Sequence, residues 1–139
     1  MKIVVDAGDP VRYTSDTEAN NGANDMETMQ IKTEMLAQAK AAADKFYADS
    51  MGGRDWGGCG FAWVTVYPKH KGNTKLGKAE RTVLRDMGFE LDWTGKSFQL
   101  WNPSNHMAQN IDTKEAGARA AANVLRAHGF NAYAGSRLD

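Results

Sequence analysis

Two stretches of nearly identical sequence constrain the fold more than any other feature of this chain: VLRDMGF at residues 83–89 and VLRAHGF at residues 124–130. Each closes a segment in which apolar residues recur at helical spacing, and each ends in Gly followed by Phe. A glycine just beyond a helix adopts the left-handed backbone that ends it, and the apolar residue after it packs against the last turn. The repeat therefore predicts two helix-to-strand junctions. Shared junction chemistry and a duplicated helix–strand unit both explain it, and neither identifies a ligand.

Three helices are predicted around these junctions. Apolar residues at helical spacing predict a long helix over about 25–50, for which Asn24 and Glu27 form a capping box. The helices that lead into the two repeated stretches cover about 73–88 and 112–128, the second with Asp112 as its N-cap.

Three segments carry strand signals. CGFAWVTVYP, at 59–68, alternates with apolar residues on both faces, which is typical of a central strand that Pro68 stops. FELDWTGKSFQLW, at 89–101, divides into a hairpin around Thr94-Gly95. FNAYA, at 130–134, predicts the last strand and leaves GSRLD as a tail.

The resulting order of elements is α-β-α-β-β-α-β, with one hairpin and helices able to cover one face of a sheet. We therefore predict an α+β fold, a single-domain two-layer sandwich of three helices on a largely antiparallel sheet. A chain of 139 residues suits one domain spanning 1–139. MKIVVDAG fits a short edge strand, and the polar residues after it predict a flexible or loosely packed N-terminal segment over 1–24.

The charge balance and the single cysteine limit the class of protein. The formal net charge is +0 at pH 7, so no global field attracts nucleic acid or a membrane. Acidic residues predominate in 1–30 and basic residues in 69–85. Cys59 stands alone, which excludes an internal disulfide and favours a reducing compartment. With neither a signal peptide nor a membrane span in the sequence, we expect a cytoplasmic protein without a membrane partner.

The residues typical of catalysis form no recognisable motif. Cys59 lies at the start of a strand that looks buried, with no His near it in sequence, which favours a packed residue over a nucleophile. His70, His106 and His128 lack metal-ligand spacing. We therefore predict no catalytic residue, no metal and no cofactor, and a binding protein rather than an enzyme. Chemistry built from residues distant in sequence stays open.

Two polar segments are candidates for binding. In WNPSNHMAQNIDTKEAGAR, at 101–119, an indole, several amides and a helix arginine suit a base or sugar edge plus a phosphate, although a capping-rich surface loop explains it equally. In the basic run at 67–85, lysines flank a Gly-Asn turn at a helix start, a pattern typical of anion sites and also of solvated faces. The predicted ligand-binding residues are Trp101, Asn102, His106, Arg119, Lys69 and Lys71.

The strand end WNPS, with Trp101 and Asn102, and Arg119 on the alanine-rich last helix carry a resemblance to a known family. The chain has the character of a small bacteriophage accessory protein. It resembles the phage Thoeris anti-defence sponges, which sequester cyclic ADP-ribose-type signals without cleaving them. The resemblance covers the last third of the chain. It implies that an aromatic ring, an Asn and helix arginines hold the ligand, often between subunits. Asn123 stands where a second helix arginine would suit the family pattern.

These observations give one leading hypothesis and two alternatives. The first is non-catalytic sequestration of an anionic nucleotide-like small molecule bearing phosphate, by a homo-oligomer in the host cytoplasm if the protein is phage-encoded. The second is a protein-binding inhibitor of a host defence protein, acting through the acidic N-terminal segment or the basic helix. The third is a single-stranded nucleic-acid binder in which Trp63, Tyr67 and Trp101 stack on bases.

Overall fold

The computed structural model describes residues 18–139, with the side chains described from residue 25 onward. Three helices and four strands follow one another in the expected order. Their bounds are α1 Glu18–Asp49, β1 Gly60–Val66, α2 Lys75–Asp86, β2 Glu90–Leu91, β3 Phe98–Trp101, α3 Ile111–Ala127 and β4 Ala132–Leu138. The predicted α+β fold is confirmed. The edge strand predicted at MKIVVDAG lies outside the described residues.

The four strands form one antiparallel sheet in the order β2-β3-β1-β4. As predicted from its apolar character, β1 is central: it pairs with β3, where Trp63 lies opposite Trp101, and with β4, where Trp63 lies opposite Gly135. The predicted hairpin joins β2 and β3, and Gly95 in its tip has the positive φ of 75° that the tight turn requires.

Both repeated stretches end their helices in the same way. Gly88 has φ 97° and Gly129 has φ 92°, the left-handed backbone expected at these positions. Beyond α2, the N–H of Phe89 donates to the carbonyl of Leu84 at 3.0 Å. Beyond α3, the N–H of Phe130 donates to the carbonyl of Leu125, also at 3.0 Å. The junctions predicted from the repeat are therefore confirmed as a glycine-based helix end.

Three local predictions are wrong. Helix α1 already includes Asn24, so it does not begin at the predicted capping box of Asn24 and Glu27. The N-cap of α3 is Asn110, whose Oδ1 accepts from the Thr113 N–H at 2.8 Å, and not Asp112. The tail GSRLD belongs to β4, because this segment pairs with β1 as far as Gly60 opposite Leu138.

All three helices contribute to one core on a single face of the sheet. Helix α1 presents a row of side chains spaced four residues apart: Ile31, Met35, Ala39 and Ala43. Small residues on α3 allow α1 to approach closely, since a Cβ at Gly117 would lie 3.2 Å from the Ala39 carbonyl oxygen. The sheet contributes the core side chains Ala62, Val64, Val66, Phe98 and Ala132. None of the helices between residues 18 and 139 combines the length and apolarity needed to cross a bilayer.

Candidate functional site

The face of the sheet turned away from the core carries a row of aromatic side chains. Successive residues of a strand point to opposite faces, so Phe61, Trp63 and Thr65 point away from the buried Ala62 and Val64. The register then fixes the other residues on this open face, which are Tyr67 just after β1, Glu90 of β2, Gln99 and Trp101 of β3, and Tyr133, Gly135 and Arg137 of β4. We call this surface the open face.

Two tryptophans form the centre of the open face. The ring centroids of Trp63 and Trp101 lie 4.8 Å apart at 37°. Trp63 is half-buried because its indole lies over Gly135, where an added Cβ would come within 2.6 Å of the Trp63 Nε1. Trp101 lies further out, with 49% of its surface exposed. A fixed inner indole thus supports an outer indole that is accessible to a planar partner.

Further aromatic rings continue the row on either side of this pair. Phe61 meets Trp101 edge to face, with centroids 6.1 Å apart at 75°. Towards the other end of β1, Tyr67 and Tyr133 pack at 6.1 Å and 63°, and Tyr133 is 52% exposed. Over the six residue steps from Phe61 to Tyr67 the row extends for about 20 Å at the rise of a β-strand.

Two cations stand at the Phe61 end of the row. The Arg137 guanidinium carbon lies 5.6 Å from the Phe61 ring centroid. The Lys114 ammonium lies 5.8 Å from the same centroid and donates to the Gly60 carbonyl at 2.9 Å. Cations at these distances are attracted by the aromatic ring. Arg137 is exposed, and the Phe61 ring that it approaches is in contact with Trp101.

The opposite end of the row meets the loop that carries Lys69 and Lys71. Glu80 of α2 fixes this loop by accepting from the backbone N–H groups of Lys69 at 2.7 Å and His70 at 2.9 Å. Arg81 adds a hydrogen bond to the His70 carbonyl at 2.9 Å. The backbone is thereby held while the side chains of Lys69 and Lys71 stay exposed. Positive charge therefore flanks both ends of the aromatic row.

Among the predicted binding residues, the structure brings Asn102 and His106 together. Asn102 adopts φ 44°, which is uncommon for a residue other than glycine, and its Nδ2 donates to the His106 carbonyl at 3.3 Å. The His106 Nδ1 accepts from the Ala108 N–H at 3.0 Å, so its Nε2 faces Asp44 of α1 at 3.5 Å. A hydrogen bond from Lys40, reinforced by the charges of Lys40 and His106, lowers the pKa of Asp44.

The other predicted residues lie in separate places. Arg119 is 3.5 Å from Glu115, which also accepts from the Ser136 hydroxyl on the covered side of β4. Trp101 is on the open face of β3, with β1 between β3 and β4. Lys69 and Lys71 follow the last residue of β1, whereas the loop 102–110 joins its beginning. The six predicted residues therefore do not line one cleft.

A cavity of about 300 Å³ does open beside the loop 102–110. It is lined by Lys40, Asp44, Ser104, Asn105, His106 and Met107. Asn105 has φ 54°, so two residues of this loop, with Asn102, hold left-handed backbone. Strained backbone of this kind tends to cluster at ligand sites. The cavity combines the Lys40 ammonium, which pairs with the Asp44 carboxylate at 2.7 Å, with an imidazole and an amide. Ammonium, imidazole and amide groups bind phosphate or sugar hydroxyls.

Sequence reasoning missed the two cations and two of the rings of the open face. Phe61 belonged to a strand interpreted as buried on both sides, and Arg137 lay in a segment interpreted as a tail. Cys59, expected to be packed, is exposed. Between residues 18 and 139, no three His, Cys, Asp or Glu side chains are grouped so as to hold a metal ion.

No protein-family model, curated protein or solved structure matches this chain.

Proposed function

We propose that this protein binds single-stranded nucleic acid on the open face of its sheet. The observation that carries the proposal is the indole pair of Trp63 and the 49% exposed Trp101, at the centre of an aromatic row with Arg137 at its end. Bases stack on exposed aromatic rings whatever their sequence, since every base has a π face, and cations neutralise the phosphates between them.

The shape of the surface favours a polymer over a small ligand. Small molecules usually occupy concave sites that bury most of their surface. The aromatic row instead follows one strand over about 20 Å, a length that suits several successive nucleotides. Lys69 and Lys71 at one end and Arg137 at the other offer contacts to phosphates at both ends of such a segment.

The zero net charge makes the expected affinity modest and its salt dependence shallow. With about three phosphates neutralised, the slope of log K against log salt for a single strand is about −2. Stacking then contributes a larger share of the binding free energy than the phosphate contacts do. A slope much steeper than this would indicate that the nucleic acid binds the basic helix α2 and not the open face.

The experiment is a fluorescence-anisotropy titration with labelled oligothymidine and oligouridine. We expect Trp101→Ala to weaken binding by about tenfold or more, because one base–aromatic stack contributes about 1–3 kcal/mol. Trp93→Ala is the matched control, since Trp93 is 95% exposed on the hairpin tip and belongs to neither face. Equal losses in both variants, or no binding of the wild type at low salt, would overturn the proposal. Host-protein capture that depends on Trp101, without oligonucleotide binding, would favour the protein-inhibitor hypothesis.

The cavity beside His106 favours a second candidate function, the sequestration of a small phosphate-bearing nucleotide. In this proposal Asn105 and His106 hydrogen-bond the ligand and Lys40, rather than Arg119, supplies the positive charge. Thermal melts with ADP-ribose derivatives and cyclic nucleotides test it, because a ligand that binds the folded state raises the melting temperature. We expect Lys40→Ala to abolish the shift and Lys45→Ala to preserve it. Lys45 forms the same type of ion pair along the helix, with Asp49 at 2.6 Å, but it does not line the cavity. A shift unchanged in Lys40→Ala rejects this site. The anti-defence role implied by the sponge resemblance stays a prediction.

A further inference from the structure

Strand β4 lies at one edge of the sheet that the described residues 18–139 form. The N–H of Tyr67 donates to the Asn131 carbonyl and the N–H of Asp139 donates to the Cys59 carbonyl, both at 3.0 Å. These bonds and the antiparallel register direct the backbone groups of odd-numbered β4 residues towards β1. The even-numbered residues direct theirs to the opposite side. Within residues 18–139, β4 pairs with β1 and with no other strand.

Strand β4 itself lacks the sequence features that usually prevent association at an edge. Natural edge strands are protected by prolines, bulges, several charges or a very short length. Strand β4 has seven residues, no proline and an unbroken register with β1, and its single charged side chain is Arg137. One backbone group is occupied, because Arg126 donates to the Ala132 carbonyl at 2.7 Å. The outward-facing backbone groups of Ala134, Ser136 and Leu138 pair with no strand within residues 18–139.

We propose that a second copy of this chain pairs with the β4 edge in antiparallel fashion, across a two-fold axis at Gly135. Ala134 and Ser136 then exchange backbone hydrogen bonds with the partner's Ser136 and the partner's Ala134. Tyr133 lies directly opposite the partner's Arg137 on the open face. This opposite pair is of the non-hydrogen-bonded type, in which the side chains approach most closely.

The occupant is a second copy because β4 is complementary to itself in this register. Tyr133 and Arg137 are both exposed on the same face, and the two-fold axis forms their cation–π pairing twice. Gly135 meets the partner's Gly135 without side chains between them. The resulting eight-stranded sheet joins the two open faces into one surface. Pairing through β4 requires no nucleic acid, so it can be measured on the protein alone.

A proline at position 134 tests the edge directly. The Ala134 N–H faces away from β1, so Ala134→Pro removes an intersubunit donor and leaves the β1–β4 hydrogen bonds intact. In sedimentation velocity we expect the wild type and the control Ala134→Thr at about twice the chain mass of 15.2 kDa, and Ala134→Pro at the chain mass with an unchanged circular-dichroism spectrum. A monomeric wild type at 100 µM, or a dimeric Ala134→Pro variant, overturns the proposal.

A side-chain exchange tests the register. Tyr133→Arg places two arginines opposite each other across the axis, and we expect the dimer dissociation constant to rise by about tenfold. The double variant Tyr133→Arg/Arg137→Tyr restores an aromatic–cation pair between subunits, and we expect the wild-type constant to return. If the double variant is no tighter than Tyr133→Arg alone, the two residues do not face each other and this register is wrong.

Discussion

The two faces of β1 are both rich in apolar residues, yet they differ in what covers them. Ala62, Val64 and Val66 are at most 1% exposed beneath the helices. On the other side, Phe61 and Trp101 are exposed by 37% and 49%. The covered face of β1 is aliphatic and closely packed, whereas the open face is aromatic, with cations at both ends of the aromatic row and Glu90 on the neighbouring edge strand β2. Burial explains the first composition and not the second, which is why we assign folding to one face and binding to the other.

Truncation of one large side chain on each face should show the largest contrast. Phe98 is fully buried on the covered face, so we expect Phe98→Ala to lower the free energy of unfolding by about 3–5 kcal/mol. Phe61→Ala, on the open face, should lower it by less than about 1 kcal/mol. Urea unfolding monitored by circular dichroism measures both. Similar losses in the two variants would show that the open face also contributes to the core.

The second-largest effect is expected from a methyl group added beneath Trp63, which should lower both the stability and the oligonucleotide affinity of the protein. Gly135→Ala brings a Cβ to 2.6 Å from the indole, so Trp63 must move and we expect about 1–3 kcal/mol of destabilisation. Oligonucleotide affinity should fall as well, since Trp101 loses its support. Gly58→Ala is the control, because its Cβ meets only the flexible end of Leu138 at 2.9 Å. If the Gly135→Ala variant is destabilised but its affinity for the oligonucleotide is unchanged, the indole pair does not contribute to binding.

Arg137 on the open face and Arg119 on the covered side provide a further comparison of the two faces. We expect Arg137→Ala to weaken oligonucleotide binding by about tenfold and to reduce the magnitude of the salt slope by about 0.7, the value for one phosphate contact on a single strand. Arg119→Ala, on the covered side beside Glu115, should change neither quantity. Anisotropy titrations at several salt concentrations measure both. If Arg119→Ala weakens oligonucleotide binding more than Arg137→Ala does, the binding site is the cleft predicted from the sequence and not the open face.

The smallest expected effect concerns the hairpin tip, which belongs to neither face. Hydrogen bonds from the hydroxyls of Thr94 and Ser97 lower the pKa of Asp92 from 3.8 to about 2. Because the folded pKa is depressed, the contribution of Asp92 to stability is present above about pH 4 and is lost as the pH falls towards 2. Thermal melts across this range should show a smaller pH dependence in Asp92→Asn. An identical pH dependence in both proteins would contradict the assigned hydrogen bonds.

The sequence predicted those parts of the fold that depend on local chemistry. Gly88 and Gly129 end helices because the left-handed backbone favours glycine, and this requirement is visible in a single chain. The alternation of β1 placed Trp63 and Tyr67 on one face, and the position of Trp101 on the same face follows from the register. Such local signals are sufficient to predict the order of the elements.

Tertiary packing decided the remaining features, and no local signal revealed them. Gly135 and its small neighbours have weak strand propensity, but Trp63 packs over Gly135 and the segment pairs fully with β1. Because the segment GSRLD was interpreted as a tail, Arg137 was not recognised as a residue of the sheet. The aromatic face of β1 looked buried because sequence does not show on which side of a sheet the helices lie. Arg119 and Trp101 are close along the chain, yet the sheet lies between them.

The most direct test of the binding assignment uses the side-chain signals of the four tryptophans in a ¹⁵N–¹H correlation spectrum. During titration with an oligonucleotide, we expect the indole N–H resonances of Trp63 and Trp101 to shift. That of Trp93, on the hairpin tip, and that of Trp56, which donates to the Met51 carbonyl at 2.9 Å, should stay in place. Shifts confined to Trp56, Trp93 or the backbone of the loop 102–110 would contradict the account.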